Sequence, residues 1–402
     1  MKFIDLGLDQ RILDGIDAMG YETATPVQQQ VMVPILEGKD IIAAAQTGTG
    51  KTAAFLLPLL HRLLTSAHTA GDINALIIVP TRELAIQIAE SIEGLSYFTD
   101  VSSIAVYGGG DGSSFVAEKK ALTSGVDIVV CTPGRMIAHL NMGYVKFSSG
   151  FSSGHFFALI IDEADRMLDM GFSDDIAKII TFLPAQRQNL LFSATMPAKM
   201  RVLAKKILLN PVEINIAISK PPEQIIQKAF MVYDTQKVPV IIDMLSSKRY
   251  SKVIVFCSKK SNVKQLTSKL VHAKLSAAEI HSDLDQKSRE QYLQDFRNQK
   301  TNILVATDIL SRGIDIDDID LVINYDVPND GEDYIHRIGR TARAATSGTA
   351  FTLVGEKEQG KFAEIEELLG VPVLKGVVPE MFGPTPQYAP KQQRGNKFTK
   401  RR

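Results

Sequence analysis

Short, nearly continuous apolar runs alternate along the chain with longer segments in which apolar residues recur every three or four positions. Residues 75–80 (ALIIVP) are typical of the first pattern, and residues 82–95 (RELAIQIAESIEGL) are typical of the second. Continuous runs indicate strands that are buried on both faces, and the wider spacing indicates amphipathic helices. Their alternation predicts an α/β fold in which a mostly parallel sheet carries helices on both faces.

One interruption divides this alternation into two halves. Prolines within residues 210–222 break both patterns, after which strand-like runs resume. A chain of 402 residues is long enough for two domains. We therefore predict domains at residues 1–217 and 218–373. Residues 374–402 are rich in proline, glutamine and lysine and have little to bury, so they predict a short, disordered, basic tail.

A glycine-rich loop follows the first strand-like run and precedes a helical segment. Its sequence, residues 45–52 (AQTGTGKT), is typical of loops whose backbone N–H groups surround a phosphate chain. The following helix N-terminus adds partial positive charge, Lys51 adds a full charge, and the Thr52 hydroxyl can ligate Mg²⁺. The predicted nucleotide site comprises Thr47, Gly48, Thr49, Gly50, Lys51 and Thr52.

A small polar cluster stands upstream of this loop, at Tyr21, Thr25 and Gln28. Alone it would indicate only a surface turn. Beside a phosphate loop it predicts a pocket for a base, because the Gln28 amide can both donate to and accept from an adenine edge. The Tyr21 ring can stack on the same base.

Two adjacent carboxylates, Asp162 and Glu163, follow another strand-like run. Acidic residues are also common in the first turn of any helix, which is the alternative explanation. Together with the phosphate loop, the pair predicts that Asp162 holds Mg²⁺ opposite Thr52. Glu163 is then the general base that deprotonates an attacking water.

Basic residues are concentrated in the second half at residues 336–343 (HRIGRTAR). A solvated charged helix face is one explanation. The other is an arginine finger, which supplies positive charge to the γ-phosphate as negative charge spreads over it. We take His336, Arg340 and Arg343 as the candidate catalytic residues of this segment.

Small, hydroxylic and basic residues follow most of the remaining strand-like runs. Ligands of parallel sheets gather at the carboxyl ends of strands, and these groups suit phosphate and sugar oxygens. No aromatic residues interleave them, which favours contact with a nucleic-acid backbone over base stacking. The candidate residues are Thr81, Arg82, Gly108, Gly109, Thr132, Pro133, Gly134, Arg135, Arg289, Thr307, Arg312 and Gly313.

The charge, the cysteine content and the absence of long apolar runs bear on how a nucleic acid could bind and on the cellular compartment. The formal net charge is zero, so a nucleic acid held by the body of the protein must meet a local basic groove. The two cysteines, Cys131 and Cys257, stand in apolar runs and are expected to be buried thiols. With no membrane-length apolar run and no signal-like segment, we expect a cytoplasmic protein without a membrane partner.

The motifs together resemble those of the DEAD-box ATP-dependent RNA helicases of superfamily 2, over roughly residues 1–370. They occur in the order of that family. They are Phe3 with residues 20–28 (GYETATPVQ), 45–52, 80–85 (PTRELA), 108–109, 132–135 (TPGR), 162–165 (DEAD), 193–195 (SAT), 255–258 (VFCS), Gln286 with Arg289, 306–308 (ATD) with 312–315 (RGID), and 336–343.

The resemblance implies two RecA-like domains that bind ATP, Mg²⁺ and single-stranded RNA across the cleft between them. It implies that Tyr21, Thr25 and Gln28 select adenine, that Asp315 contacts the ribose, and that Arg340 and Arg343 reach the γ-phosphate. Ser193 and Thr195 would link hydrolysis to RNA. The expected activity is RNA-stimulated hydrolysis of ATP to ADP and phosphate, which drives local unwinding of short duplexes or remodelling of ribonucleoproteins through domain closure.

The chain departs from the family pattern at Ala24, Ser282 and Ala342, where Pro, Gly and Gly are usual. The short basic tail resembles the bacterial RhlE-type branch. Two alternatives remain open: an ATP-gated RNA clamp or chaperone with little unwinding, and a DNA-directed motor. The expected partner is RNA, contacted without sequence preference by a monomer, with ribonucleoprotein or degradation-complex proteins as further partners.

Overall fold

The computed structural model describes residues 1–45, 49–66, 72–109, 112–148, 157–215, 225–247, 250–307, 319–329, 331–341 and 348–390. The chain forms two compact units, Met1–Ser219 and Lys220–Arg402. The division lies two residues beyond the boundary predicted at residue 217. No helix in the described ranges is long and apolar enough to cross a membrane.

The first unit is a sheet with helices between its strands. Its strands are β1 (Ile41–Ala44), β2 (Ala75–Ile78), β3 (Ser103–Val106), β4 (Ile128–Cys131), β5 (Ala158–Ile161), β6 (Gln188–Ser193) and β7 (Val212–Asn215). Its helices are α1 (Gln10–Ala18), α2 (Pro26–Leu36), α3 (Lys51–Thr65), α4 (Arg82–Leu95), α5 (Gly112–Ser124), α6 (Pro133–Leu140), α7 (Ala164–Asp169), α8 (Ser173–Ile180) and α9 (Ala198–Ile207).

The strands of this sheet are all parallel, in the order β3-β4-β2-β5-β6-β1-β7. Alternate residues of β2 enter different cores: Ile77 packs in the one that contains Phe55 of α3, and Leu76 in the one that contains Met136 of α6. Since side chains alternate across a strand, helices on both faces require an apolar residue at every position. This explains the continuous apolar runs.

The strand order sorts the loops at the carboxyl edge into two neighbouring groups. The loops after β1, β6 and β5 lie side by side, and so do the loops after β2, β4 and β3. The first group carries the phosphate loop and the Asp162-Glu163 pair. The second carries the candidate backbone-contacting residues.

The second unit repeats the architecture. Its strands are β8 (Ile226–Met231), β9 (Val253–Phe256), β10 (Ala277–Ile280), β11 (Ile303–Ala306), β12 (Leu321–Asn324), β13 (Thr349–Val354) and β14 (Leu374–Gly376), in the parallel order β10-β11-β9-β12-β13-β8-β14. Its helices are α10 (Asp234–Ser247), α11 (Lys260–His272), α12 (Gln286–Arg297), α13 (Gly331–Ile338) and α14 (Gln359–Leu369).

The prediction of a disordered tail from residue 374 is wrong for residues 374–390. Strand β14 pairs with β8, and the Gln236 side-chain amide donates to the Phe382 carbonyl over 2.8 Å. Gln359 binds the Gln387 carbonyl and the Ala389 amide, each over 2.8 Å. The composition was misleading because glutamine side chains of the folded unit satisfy the backbone of this segment. Residues 391–402 lie outside the described ranges.

Candidate functional site

The described part of the phosphate loop has the backbone that the sequence requires. Gly50 precedes α3 with φ of 88°, in the left-handed region. A Cβ at Gly50 would also lie 2.6 Å from Nε2 of Gln28, so both conformation and space require glycine. Helix α3 runs for 15 residues, and its N-terminus carries partial positive charge. Thr47 and Gly48 lie outside the described residues.

Lys51 is a buried cation. The residue is 6% exposed, and its Nζ has no hydrogen-bond partner among the residues that the structure describes. A buried ammonium group is costly unless an anion compensates it. At the start of a helix behind a glycine loop, a phosphate group is the anion that fits.

Asp162 and Glu163 lie at the end of β5, and both are buried. Burial raises the pKa of Asp162, while the charge of Lys51 and a 2.9 Å hydrogen bond from the Glu163 amide act in the opposite direction. Glu163 has φ of 51° and ψ of 47°, a left-handed backbone conformation that residues other than glycine seldom adopt. Such strain concentrates at functional sites, and this observation supports the role predicted for Glu163.

The residues around Asp162 fit a hard divalent cation. A buried carboxylate with a raised pKa gains most from a nearby cation, and carboxylate and hydroxyl oxygens are ligands that Mg²⁺ accepts. No cluster of three or more histidine, cysteine or acidic side chains with metal-binding geometry occurs in the described ranges. Mg²⁺ typically uses few protein ligands together with substrate phosphates, so the small predicted set of Asp162 and Thr52 is compatible with this ion.

The loops after β5 and β6 are joined through Asp165. Its carboxylate accepts a hydrogen bond from the Thr195 amide over 3.1 Å. The Ser193 hydroxyl donates to the Thr195 carbonyl over 2.7 Å. The loop after β6 is therefore in direct contact with α7, the helix that begins directly after Glu163.

The upstream polar cluster contacts the phosphate loop. The Gln28 amide donates to the Gly50 carbonyl over 3.1 Å, and its oxygen accepts from the Thr25 amide over 2.8 Å. The Thr25 hydroxyl donates to the Thr49 carbonyl over 2.8 Å. Each end of an amide has capacity for two hydrogen bonds, so Gln28 can hold the loop and still meet a base. Tyr21 is partly exposed, with 38% of its surface accessible.

The candidate backbone-contacting residues of the first unit follow three adjacent strands. Thr81 caps α4 by accepting from the Leu84 amide, and Thr132 and Pro133 begin α6. Gly109 has φ of 94°, and a Cβ there would lie 1.8 Å from Nη1 of Arg82. A Cβ on Gly108 or Gly134 would meet no atom within 4 Å, so this backbone is open to a ligand.

Sequence reasoning missed the partner of Arg135. Glu118 of α5 is buried and accepts a hydrogen bond from Nε of Arg135 over 2.6 Å. The sequence did carry a signal, because Glu118 stands between Phe115 and Leu122 at helical spacing. A charged residue on the apolar face of a helix indicates a buried ionic partner.

The second unit places some of its predicted residues at its own carboxyl edge. Thr307 follows β11, and its buried hydroxyl has no hydrogen-bond partner among the described residues. Arg289 on α12 and His336 on α13 are buried, and Arg340 is half-buried in the 3-10 turn Gly339–Thr341. Arg312, Gly313, Asp315 and Arg343 lie outside the described residues.

Arg337, a neighbour of the predicted finger, has a structural role. Its Nη1 donates to Oδ1 of Asn324 and to the Asp326 carbonyl, each over 3.1 Å, and its guanidinium lies 5.3 Å from the centre of the Phe256 ring. Arg337 and His336 are buried, so the alternative of a solvated charged face does not hold for these two positions.

A second buried cation, Lys237, also escaped sequence reasoning. It lies 2.9 Å from Glu358 and 3.5 Å from both Asp326 and Asp234. Burial lowers the pKa of Lys237, but these carboxylates, Glu358 foremost, outweigh burial and leave it raised. Asp326 in turn accepts from the Ser258 amide over 2.8 Å, so the cluster fixes the loops after β9 and β12.

Family models match both units: DEAD/DEAH box helicase at residues 25–203 and helicase conserved C-terminal domain at residues 236–345. The chain is 42% identical to the ATP-dependent RNA helicase CshA of Listeria monocytogenes, over 91% of this chain and 68% of that protein. It is 39% identical to the DEAD-box ATP-dependent RNA helicase RhpA of Helicobacter pylori, over 91% and 72%.

Solved structures agree with these matches. The fold is similar to that of S. cerevisiae Dbp5 bound to RNA and ADP BeF3, with a TM-score of 0.83, 28% identity and coverage of 94% of this chain and 96% of that one. It is also similar to Mss116p bound to ssRNA and AMP-PNP, with a TM-score of 0.79, 29% identity and coverage of 94% and 80%. The two sheets are therefore RecA-like domains, and the chain belongs to the DEAD-box family of superfamily 2 helicases.

Proposed function

We propose that the chain is an ATP-dependent RNA helicase that couples ATP hydrolysis to the local separation of short RNA duplexes. The observation that carries the proposal is the strand order of the first unit. It sets the loops with Lys51, Asp162 and Glu163 beside the loops with Arg82, Gly109 and Arg135 along one edge. Two relatives that carry helicase names, and a structural neighbour bound to RNA and ADP BeF3, support the same activity.

The nucleotide half of the mechanism uses buried charge. Lys51 and the N-terminus of α3 bind the phosphate chain of ATP, whose charge compensates the buried ammonium. Thr52 and Asp162 would hold Mg²⁺, which when bound neutralises part of the phosphate charge. Glu163 accepts the proton of the attacking water. Tyr21, Thr25 and Gln28 select adenine, and Asp315 contacts the ribose.

The RNA half uses backbone amides, hydroxyls and guanidinium groups at the ends of β2, β3 and β4. Such groups bind phosphate and sugar oxygens and carry no base code, so the protein acts without sequence preference. The 2′-hydroxyls distinguish RNA from DNA. In the second unit Arg289, Thr307, Arg312 and Gly313 extend this contact.

Hydrolysis and RNA binding communicate through residues 193–195. The Asp165–Thr195 contact joins the loop after β6 to the helix that follows Glu163. Through this contact, a shift of residues 193–195 on RNA binding would be passed to the helix beside Glu163. In this proposal His336, Arg340 and Arg343 are the residues that supply positive charge to the γ-phosphate during hydrolysis.

For the oligomeric state, the location and the partners of the protein, we keep the predictions made from the sequence. We propose a monomer that works in the cytoplasm on RNA, with ribonucleoprotein or degradation-complex partners. Assignment to the RhlE-type branch stays a prediction, since the relatives named above are of other types.

The test is separation of a short RNA duplex under ATP, compared with an unhydrolysable analogue and with Glu163→Gln. Wild-type protein should separate strands faster than a strand trap alone. Glu163→Gln should bind ATP and RNA while turnover falls by roughly 10²–10⁴-fold. Asp174→Asn, which changes an exposed acid on α8, is the matched control. Strand separation no faster than passive trapping would favour an ATP-gated clamp, and normal turnover of Glu163→Gln would remove it as the base.

A further inference from the structure

One carboxylate in the first unit, that of Glu118, contacts three residues of two other segments, α6 and the end of β3. Its Oε2 accepts from Nε of Arg135 over 2.6 Å and faces Nε2 of His139 at 2.8 Å. Its Oε1 accepts from the backbone amide of Tyr107 over 3.3 Å. Both oxygens of this buried group therefore have partners, and none of the three contacts lies within the helix that carries Glu118.

The surroundings of Glu118 keep these contacts away from solvent. The Phe115 ring stacks on His139, with ring centres 4.3 Å apart and 11° between their planes. The Arg135 guanidinium lies over the same Phe115 ring, at 4.6 Å. The Tyr144 hydroxyl contacts Nδ1 of His139, which orients the imidazole towards the carboxylate. In such an environment charge-assisted hydrogen bonds are strong and geometrically specific.

Arg135 is left with unused binding capacity. Its side chain is 15% exposed, and its Nη2 is a buried atom with no hydrogen-bond partner in the part of the chain that the structure describes. A guanidinium group is a rigid planar fork, so fixing Nε against Glu118 also fixes the direction of the terminal nitrogens. Glu118 thus fixes the orientation of a guanidinium group that is 15% exposed and whose buried Nη2 is unpaired among the described residues.

The bond to Tyr107 extends the effect to a second loop. Tyr107 is followed directly by Gly108 and Gly109, and Gly109 lies against the Arg82 guanidinium. Glu118 therefore ties the end of β3 to the start of α6. These are two of the three segments that carry the candidate RNA contacts of this unit.

We propose that Glu118 is a positioning residue for RNA binding, which aligns the Arg135 fork with the Gly108-Gly109 loop. The proposal rests on the function proposed above, in which Arg135 contacts RNA phosphates. Glu118 itself touches no RNA. Its removal should weaken RNA binding while the ATP site, built on the ends of β1, β5 and β6, stays unchanged.

The test uses the full chain and measures three quantities: the dissociation constant for single-stranded RNA, the RNA concentration that half-saturates ATP hydrolysis, and hydrolysis without RNA. Glu118→Gln keeps the shape of the side chain but replaces one acceptor oxygen with an NH₂ donor. That donor would face another donor, either the Tyr107 amide or the Arg135 guanidinium. Both RNA constants should rise about tenfold, since a charge-assisted hydrogen bond is lost. Hydrolysis without RNA should stay at the wild-type value, whereas the thermal midpoint should fall, because Arg135 loses its buried anionic partner.

Glu90→Gln is the matched control, because it removes the same charge from an exposed carboxylate on α4 of the same unit. Its RNA constants should equal those of the wild type. In the double variant Glu118→Gln/Arg135→Ala, the second change should add less than it does alone, because the two residues act on RNA as one unit.

Three results would overturn the proposal. The first is unchanged RNA constants in Glu118→Gln. The second is an equal loss of RNA binding and of RNA-independent hydrolysis, which would indicate a general structural role. The third is full additivity with Arg135→Ala. If Arg135→Ala alone left RNA binding intact, the proposed function of that residue would fail as well, so the two failures can be told apart.

Discussion

Buried charged residues at the carboxyl edge of the first sheet distinguish this chain from an α/β protein without a ligand site. Lys51, Asp162 and Glu163 are buried together, and the pKa of Asp162 stays raised even though Lys51 favours its charged form. Lys237 and Arg337 are buried too, but their carboxylate, amide and carbonyl partners compensate them. A cation that hydrogen-bonds within its own protein is structural, whereas Lys51, whose Nζ has no hydrogen-bond partner among the described residues, can still bind a ligand.

Two adjacent glycines offer a sharp comparison at this scale. Gly109→Ala should weaken RNA binding, because the new Cβ would fall 1.8 Å from Nη1 of Arg82 and φ of 94° is strained for alanine. That strain alone is about 1–2 kcal/mol. Gly108→Ala is the control, since its Cβ would meet no atom within 4 Å. RNA titrations of both variants check this, and equal affinities would mean that the Arg82–Gly109 contact is irrelevant to RNA.

His61 should make the first unit sensitive to acid. Its Nδ1 accepts from the Asp9 amide over 3.0 Å, and burial lowers the pKa of His61 despite the opposing charge of Asp9. The folded state thus favours the neutral ring. Its stabilising effect should be complete above the unfolded pKa of about 6.5 and should decrease as the pH falls below it.

The measurement is the free energy of unfolding by urea at pH 8 and pH 5.5, in wild type and His61→Gln. The glutamine oxygen can still accept from the Asp9 amide but does not titrate, so the difference between the two proteins should shrink towards pH 5.5. A difference that is independent of pH would show that His61 keeps its charge state on folding.

At the scale of elements, the sequence predicted the strands and helices well but could not predict their neighbours. Helices on both faces of the sheet make Leu76, Ile77 and Ile78 apolar in succession, and that signal is local. Strand order depends on contacts far apart in sequence, and so does the Glu118–Arg135 pair. Gln28 shows a further limit: its type indicated base binding, but its hydrogen bonds to Thr25 and Gly50 emerge only in the fold.

The C-terminal segment, residues 374–402, gives a testable prediction at the scale of elements. Residues 391–402 contain six basic residues and no acidic one, whereas residues 374–390 pack on the second unit through β14 and the Gln236 and Gln359 contacts. Deleting residues 391–402 should weaken RNA binding and flatten its salt dependence by ~0.7 in slope per lost phosphate contact on a single strand. The thermal midpoint should not change.

A longer deletion, of residues 375–402, is compared with the deletion of residues 391–402. It also removes part of β14 and the ion pair of 2.5 Å between Lys375 and Glu366, so the midpoint should fall as well. An unchanged salt slope in the shorter deletion would mean that the basic residues do not bind RNA phosphates. Equal midpoints in the two deletions would show that the packed segment contributes no stability.

At the scale of the whole molecule, zero net charge and two similar sheets would suit many enzymes. On the function proposed above, what defines this one is that the loops assigned to the nucleotide lie next to the loops assigned to RNA at one edge of a single sheet. Because binding free energies are linked reciprocally, RNA that strengthens ATP binding must itself be bound more tightly in the presence of ATP.

The most direct test of that claim is the steady-state rate of ATP hydrolysis without nucleic acid, with single-stranded RNA, and with DNA of the same sequence. We predict strong stimulation by RNA and little by DNA, because the contacts are to the sugar-phosphate backbone and the 2′-hydroxyl distinguishes the two. Equal stimulation by both would indicate a motor that also accepts DNA. Equal rates under all three conditions would contradict the coupling between the two edges.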